Sequence, residues 1–305
     1  MVSIVTKRIA GREYLYLVES MRKGEKVIQK SIKYIGPKRP VPEDEFKCME
    51  MSYRGEDWVL KRTKDELSYQ NHHQMRQASQ NYKKYLSTLD NVSKEKEKEK
   101  FLGIFISNSN AIEGSTLGVK ETFNYLFKDI TPEGHSKKEL FMASNMFEAW
   151  KYIENNFKRF PRHEDLFEMH GLVNRGIESE QTLGRYKKVQ NYVGDSYTSS
   201  HLFVKERMSM LGKWTKAAFD KIDDFEVAFQ SHAQFEIIHP FVDGNGRVGR
   251  LLMNWILMNR GLMYFAINVS RRNAYISALN SAQNGRMDAI CKLCYEEYIG
   301  QYKFL

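Results

Sequence analysis

The chain has 305 residues, of which 42% are hydrophobic, 13% aromatic and 28% charged, enough to bury a sizeable core and to exclude disorder over most of its length. The formal charge of +9 is uneven: residues 1–40 hold ten Lys and Arg against three acids, so seven of the nine net charges lie at the N-terminus. No apolar run reaches the roughly 18 residues of a membrane span, the opening MVSIVTKRIAGREY lacks the pattern of a secretory leader, and three cysteines (Cys48, Cys291, Cys294) exclude a disulfide framework and fit a reducing, cytoplasmic compartment.

In chain order, residues 7–36 predict a β-hairpin. Residues 14–18 and 27–35 are rich in β-branched and aromatic side chains, and Met21-Arg22-Lys23-Gly24-Glu25 lies between them as the turn. Pro37, Pro40 and Pro42 then predict a linker, with a boundary near residue 45. Residues 50–95 carry helix formers, and Leu67, Met75, Tyr82 and Leu86 suggest one long helix with a weak apolar stripe. The run from Lys94 to Lys100 alternates Lys and Glu and reads as a solvated helix start or loop.

From Phe101 onward helical patterns dominate. Phe225, Ala228, Phe229 and His232 mark one helix, which Asp223 or Asp224 could cap. Val248, Leu251, Leu252 and Trp255 mark a second, starting at Gly246 or Arg247, with Gly261 suited to its C-terminal end. Within the segment Gln181–Val193, residues 187–193 look extended, with Gly184 and Gly194 around them. The expected organisation is a basic β-hairpin module with linker (1–45), a helical connector (46–98) and a mainly α domain (99–305).

Chemistry concentrates in His239-Pro240-Phe241-Val242-Asp243-Gly244-Asn245-Gly246-Arg247-Val248-Gly249-Arg250, between the two helices. Pro240 ends the first helix, and Asp243-Gly244-Asn245-Gly246 is a tight loop tolerant of positive φ. Backbone N–H groups of that loop and of the next helix start should converge on an anion, with phosphate the natural occupant. Arg247 and Arg250, three apart, share a helix face and can fork onto phosphate oxygens. Asp243 can hold Mg²⁺ by a carboxylate oxygen, and His239 can accept a hydroxyl proton. Base, metal ligand, anion nest and two arginines within twelve residues describe phosphoryl or nucleotidyl transfer.

This stretch resembles the hallmark of the Fic family, HPFx(D/E)GNGRxxR, at every fixed position. The resemblance spans roughly residues 100–300 and implies a Fic-type helical bundle with a small β-hairpin flap. It implies a protein adenylyltransferase that moves AMP from ATP to a Ser, Thr or Tyr hydroxyl of a target protein, with His239 as general base. Gly244, Asn245, Gly246, Arg247 and Arg250 then bind the phosphates and Asp243 the Mg²⁺. Ser109-Asn110-Ala111-Ile112-Glu113-Gly114 is similar to the family's inhibitory motif, (S/T)xxxE(G/N), which implies self-inhibition by Glu113 acting on Arg250. Residues from Gly184 to Gly194, with Gln190, Asn191, Tyr192 and Val193, are similar to the flap that lays the target segment beside the site by main-chain pairing. A Pro-Pro often found after the flap is replaced by Ser199-Ser200. Tyr275 and Gln283 take the positions near adenine, although Asn is usual at the second and Arg286 replaces the usual Asp after Gly285.

Three alternatives stay open. The same parts could remove AMP from a modified protein, or use another nucleotide donor. The basic N-terminal hairpin could instead follow nucleic-acid phosphates, with Tyr14, Tyr16 and Tyr34 stacking on bases, or else pack on the larger domain or form a homodimer contact. Cys291 and Cys294 have half a zinc-site spacing without a second pair and read as core thiols. His163 and His170 read as packed residues, and His72-His73 has no carboxylate partner nearby in sequence.

Overall fold

In a computed structural model, which describes residues 1–24, 26–194 and 196–302, the fold is a helical bundle with two small antiparallel sheets. The N-terminal sheet has three strands rather than the expected two: β1 (Val2–Ile9), β2 (Arg12–Lys23) and β3 (Lys26–Pro37), in that order. The additional strand β1 turns into β2 through Ala10-Gly11, with φ of 48° and 79°. Two positive φ values in a two-residue loop suit the twist of a hairpin, yet alanine gives little sign of them. The expected turn at Gly24 is present (φ 64°); Glu25 lies outside the described residues. The inner face of the sheet places Val2 and Leu17 in a small core with Met49 and Phe203. On the outer face Tyr16 meets Tyr34 at 5.3 Å, and Lys7 lies over the Tyr16 ring at 4.7 Å. Lys38 pairs with Glu13 at 3.0 Å and Lys33 with Glu206 at 3.7 Å, so part of the basic charge is answered locally.

The single helix expected over 50–95 is three helices. α1 (Glu43–Arg54) ends on Gly55 in the left-handed conformation, where glycine has no Cβ to strain. α2 (Tyr69–Thr88) begins at Ser68, whose hydroxyl accepts from Asn71 N while Asn71 answers the Ser68 N–H. α3 (Asn91–Ile112) begins at Asp90, which accepts from Ser93 N at 2.8 Å. The Lys/Glu run is therefore the solvated first half of α3, and its second half enters the core. α4 (Val119–Phe127), α5 (Lys137–Asn156), α6 (His163–Val173) and α7 (Val204–Ala218) follow, with a two-residue hairpin, β4 (Tyr192–Val193) and β5 (Ser196–Tyr197), between α6 and α7. The extended stretch expected over 187–193 forms a strand only in β4; residues 187–191 are bends and loop. α8 (Asp224–Ile238), α9 (Asn245–Asn259), α10 (Arg272–Gln283) and α11 (Asp288–Tyr302) complete the described chain. No helix among the described residues is long and apolar enough to cross a membrane.

α8 is the axis of the bundle, buried at every position except Asp224 and Glu236. Its polar side chains hold the loop between α1 and α2. Glu226 Oε1 accepts from Glu66 N at 2.8 Å and Leu67 N at 2.6 Å, and Gln234 meets both Val59 N and Asp57 O at 2.9 Å. Buried side chains thus satisfy loop backbone groups that would otherwise be left unpaired at a cost of about 1–3 kcal/mol each. His72, without a nearby partner in sequence, finds Glu226 at 3.2 Å. Cys291 and Cys294 are buried free thiols, as read from the sequence.

Candidate active site

The loop between α8 and α9 is built by its own side chains. His239 closes α8 with φ 50°, its N–H donating to Phe235 O at 2.9 Å. Phe241 is fully buried and lies 4.0 Å from the His170 ring, nearly parallel to it. The Asn245 side chain clamps the Phe241 backbone from both sides, accepting from its N–H at 2.8 Å and donating to its carbonyl at 2.9 Å. What Asn245 can offer a phosphate is therefore its backbone N–H, one of the unpaired donors at the start of α9. Gly244 has φ 73°, and a Cβ there would fall 2.5 Å from Asn174 Nδ2, so only glycine fits both the dihedral and the space.

His170, which reads from the sequence as a packed residue, and Asn174, at the C-terminal end of α6, hold this loop. His170 accepts from Gly184 N at Nδ1 (2.9 Å), which leaves Nε2 to donate to Asp243 O (3.0 Å). Burial holds its pKa down near 4, so it stays neutral as this arrangement requires. Asn174, one helical turn on, accepts from Arg247 Nη2 at 2.8 Å. The signal is a His and an Asn at i, i+4 on the buried face of a short helix, but only the loop gives them a purpose.

Arg247 and Arg250 are both buried on α9, yet they turn to different partners. Arg247 reaches Asn174 and lies 3.7 Å from Asp243 Oδ2. Arg250 donates Nε to Ser109 Oγ (2.9 Å) and Nη2 to Ser109 O (2.8 Å) and Glu113 Oε1 (2.7 Å). The structure thus joins Ser109 and Glu113 to Arg250 across 137 residues. The Glu113 carboxylate also rests on Gly246, where any Cβ would overlap Glu113 Oε1. An anion already occupies the start of α9, where the helix dipole and free N–H groups favour one. Asp243 is 59% exposed, its nearest charged neighbour being Arg247, so a carboxylate oxygen is available to a hard cation.

His239 is the first residue of this loop, at the C-terminal end of α8. Burial, aided by the Lys187 charge, holds its pKa down near 3, so the ring is neutral and able to accept a proton. Lys187 is itself buried, its N–H donating to Pro240 O at 2.8 Å and its ammonium to Asn191 Oδ1 (2.6 Å) and Thr198 Oγ1 (2.8 Å). Asn191 donates to Phe241 O at 2.7 Å, and Gln190 to Asn191 O at 2.8 Å. The segment leading into β4 is therefore anchored on the histidine loop, while Tyr192 and Val193 stand exposed.

The two positions expected near adenine behave differently. Tyr275 is 1% exposed, and its hydroxyl meets His232 Nε2 at 2.7 Å and Arg250 Nη1 at 3.5 Å. It braces Arg250 from within, its ring covered on the side of the bundle. Gln283 donates to Tyr197 O and lines a cleft of about 40 Å³ with Val193, Ser196, Leu279 and Asn280. Ser199 and Ser200, which replace the Pro-Pro, are buried, and Ser200 N donates to Ser52 Oγ at 2.8 Å.

The sequence profile of the Fic/DOC family matches residues 160–257. The chain is 31% identical over 204 residues to the protein adenylyltransferase Fic of Nematostella vectensis, covering 65% of this chain and 48% of the relative. It is 30% identical over 187 residues to the protein adenylyltransferase fic-1 of Caenorhabditis elegans, covering 60% and 37%. The chain thus spans less than half the length of these relatives. Among solved structures, a Fic-1 fragment of C. elegans superposes with a TM-score of 0.66 at 22% identity, over 77% of this chain and 70% of the other. A Fic-domain signalling protein of Bacteroides thetaiotaomicron gives 0.66 at 23% identity, over 76% and 95%. These two establish the likeness of fold.

Proposed function

We propose that the chain, whose residues 160–257 match the Fic/DOC family profile, is a protein adenylyltransferase held in check by its own Glu113. The carrying observation is the Glu113 carboxylate, 2.7 Å from Arg250 and seated on Gly246 at the start of α9. A triphosphate needs that arginine and those N–H groups. A carboxylate placed there takes the charge that would grip the far phosphates and leaves the nucleotide without its productive pose.

With Glu113 withdrawn, the residues divide the work. His239 removes the proton from the target hydroxyl. The freed oxygen bonds to the α-phosphorus of ATP as the bond to pyrophosphate breaks, so AMP passes to the target and pyrophosphate leaves. N–H groups of Gly244, Asn245, Gly246 and Arg247 face the charge that grows on the α-phosphate. Arg250, with Arg247, binds the outgoing phosphates. The exposed carboxylate of Asp243 would hold Mg²⁺, which when bound neutralises phosphate charge. β4 offers its edge to an extended target segment, and Tyr192 and Val193 are the exposed side chains a target would cover.

Intact-mass measurement after incubation with ATP and Mg²⁺ tests this reading. Glu113→Gly is expected to gain the mass of one or more AMP groups much faster than the unaltered chain. Adding His239→Ala is expected to slow that gain by roughly 10²–10⁴-fold. A Glu113→Gly chain that gains no mass and labels nothing in a cell lysate overturns the transfer. Equal rates with and without Glu113 overturn the self-inhibition.

A further inference from the structure

Three buried polar atoms beside the proposed general base have no hydrogen-bond partner: His239 Nδ1, Glu236 Oε1 and His232 Nδ1. They form one cluster. Glu236 Oε2 lies 4.0 Å from His239 Nδ1, and Glu236 Oε1 lies 3.9 Å from His232 Nδ1. Both separations exceed a hydrogen bond, and each orphaned atom is costly in a dry interior. The terminal torsion of the carboxyl between them is soft. Contacts of this kind commonly tighten only when substrate is bound. Gly249 makes room for the carboxyl, since any Cβ there would overlap Glu236 Oε1.

The proton inventory assigns direction to each contact. His232 is wholly buried and held neutral, its pKa near 3. Its Nε2 lies 2.7 Å from the Tyr275 hydroxyl, and in the tautomer that carries the proton on Nε2, His232 Nδ1 is an acceptor. Burial pushes Glu236 up to about 8 despite the pull of Arg250, so the carboxyl keeps its proton at neutral pH. A neutral carboxyl has one donor and one acceptor. The donor suits His232 Nδ1, and the remaining oxygen suits an N–H on His239 Nδ1.

We propose that Glu236 is a positioning residue for His239: its carboxyl accepts the Nδ1–H of His239 while donating to His232 Nδ1, which leaves His239 Nε2 as the lone-pair nitrogen facing the target hydroxyl. This rests on the adenylyl-transfer reading for its catalytic consequence, but the tautomer it specifies does not. It also joins the base to the phosphate-gripping arginine through one chain of contacts, His239 to Glu236, His232, Tyr275 and Arg250. The backbone carbonyls of Glu236 and Gly249 are the rival partners of His239 and His232.

Two substitutions in the Glu113→Gly chain separate carboxyl from backbone. Glu236→Gln reproduces a neutral carboxyl, with an amide N–H for His232 and an amide oxygen for His239. Glu236→Met keeps the length and removes both. The Gln chain is expected to keep kcat near that of the parent. The Met chain is expected to lose kcat by roughly 10²-fold with KM for ATP unchanged. In ¹⁵N-histidine NMR spectra of chains without nucleotide, His239 should be the Nδ1–H tautomer in the parent and Gln chains and a mixture in the Met chain. A Met chain with parental kcat and tautomer overturns the proposal and gives the role to the backbone carbonyl. Equal loss in both chains also overturns it, since that pattern requires a negative charge. If the Glu113→Gly parent transfers no AMP, it is the adenylyl-transfer reading that fails, and the NMR arm still decides for or against Glu236.

Discussion

Between Phe235 and Arg250 the side chains of Phe241, Asn245, Arg247, Val248 and Arg250 are buried, and residues from α3, α6 and the segment before β4 reach in to bond the loop. The N-terminal sheet is the opposite case. The first six residues of β3 are all exposed, and one face alone meets Met49 and Phe203. A buried loop must have its backbone groups answered by specific donors and acceptors, which fixes each residue type from several directions. A half-covered sheet requires only apolar alternation on one face, and its other face is constrained mainly by solubility.

That contrast can be broken at three points, in falling order of effect. The largest is Lys187. Its ammonium is buried without a carboxylate partner among the described residues, and burial lowers its pKa from 10.5 to about 7. Between those values the unfolded chain holds a proton that the folded chain lacks, so stability rises with pH. Chemical denaturation at pH 7 and at about pH 8.5 should show the unaltered chain gaining about 2 kcal/mol relative to Lys187→Met. A flat difference between the two chains would mean that Lys187 is solvated.

Next is Asn245→Ala, which removes both bonds to the Phe241 backbone. It should destabilise the chain by about 1–3 kcal/mol, because a buried N–H and carbonyl lose their partner. A loss below about 0.5 kcal/mol in urea unfolding would show that the loop holds its shape without the clamp. The smallest is Lys30→Ala on the open strand, for which the same measurement should move by less than about 0.5 kcal/mol. A larger cost there would mean that the outer face of the sheet is covered in solution.

The same contrast separates what is legible in the residues from what is not. α8 and α9 are legible because their apolar residues recur at helical spacing and a proline and glycines punctuate the loop. β1 escapes because Ala10-Gly11 does not look like a turn. The break between α1 and α2 within residues 50–95 escapes because polar side chains 160 and 175 residues later, Glu226 and Gln234, hold the intervening loop. That the Tyr275 hydroxyl meets His232 and Arg250 is likewise not legible, because its position in a motif says nothing of what packs around the ring.

By itself, the order of residues determined which side chains could do chemistry: a histidine, an acid, three loop residues of small or turn-forming type and two arginines, set within one helix–loop–helix. Composition and local spacing suffice for that, because helix periodicity and turn preference act over a few residues. Tertiary structure alone decided what those side chains touch. Glu113 on Arg250, His170 beneath Asp243 and Glu236 near two histidines are meetings across a packed interior, which no local spacing encodes.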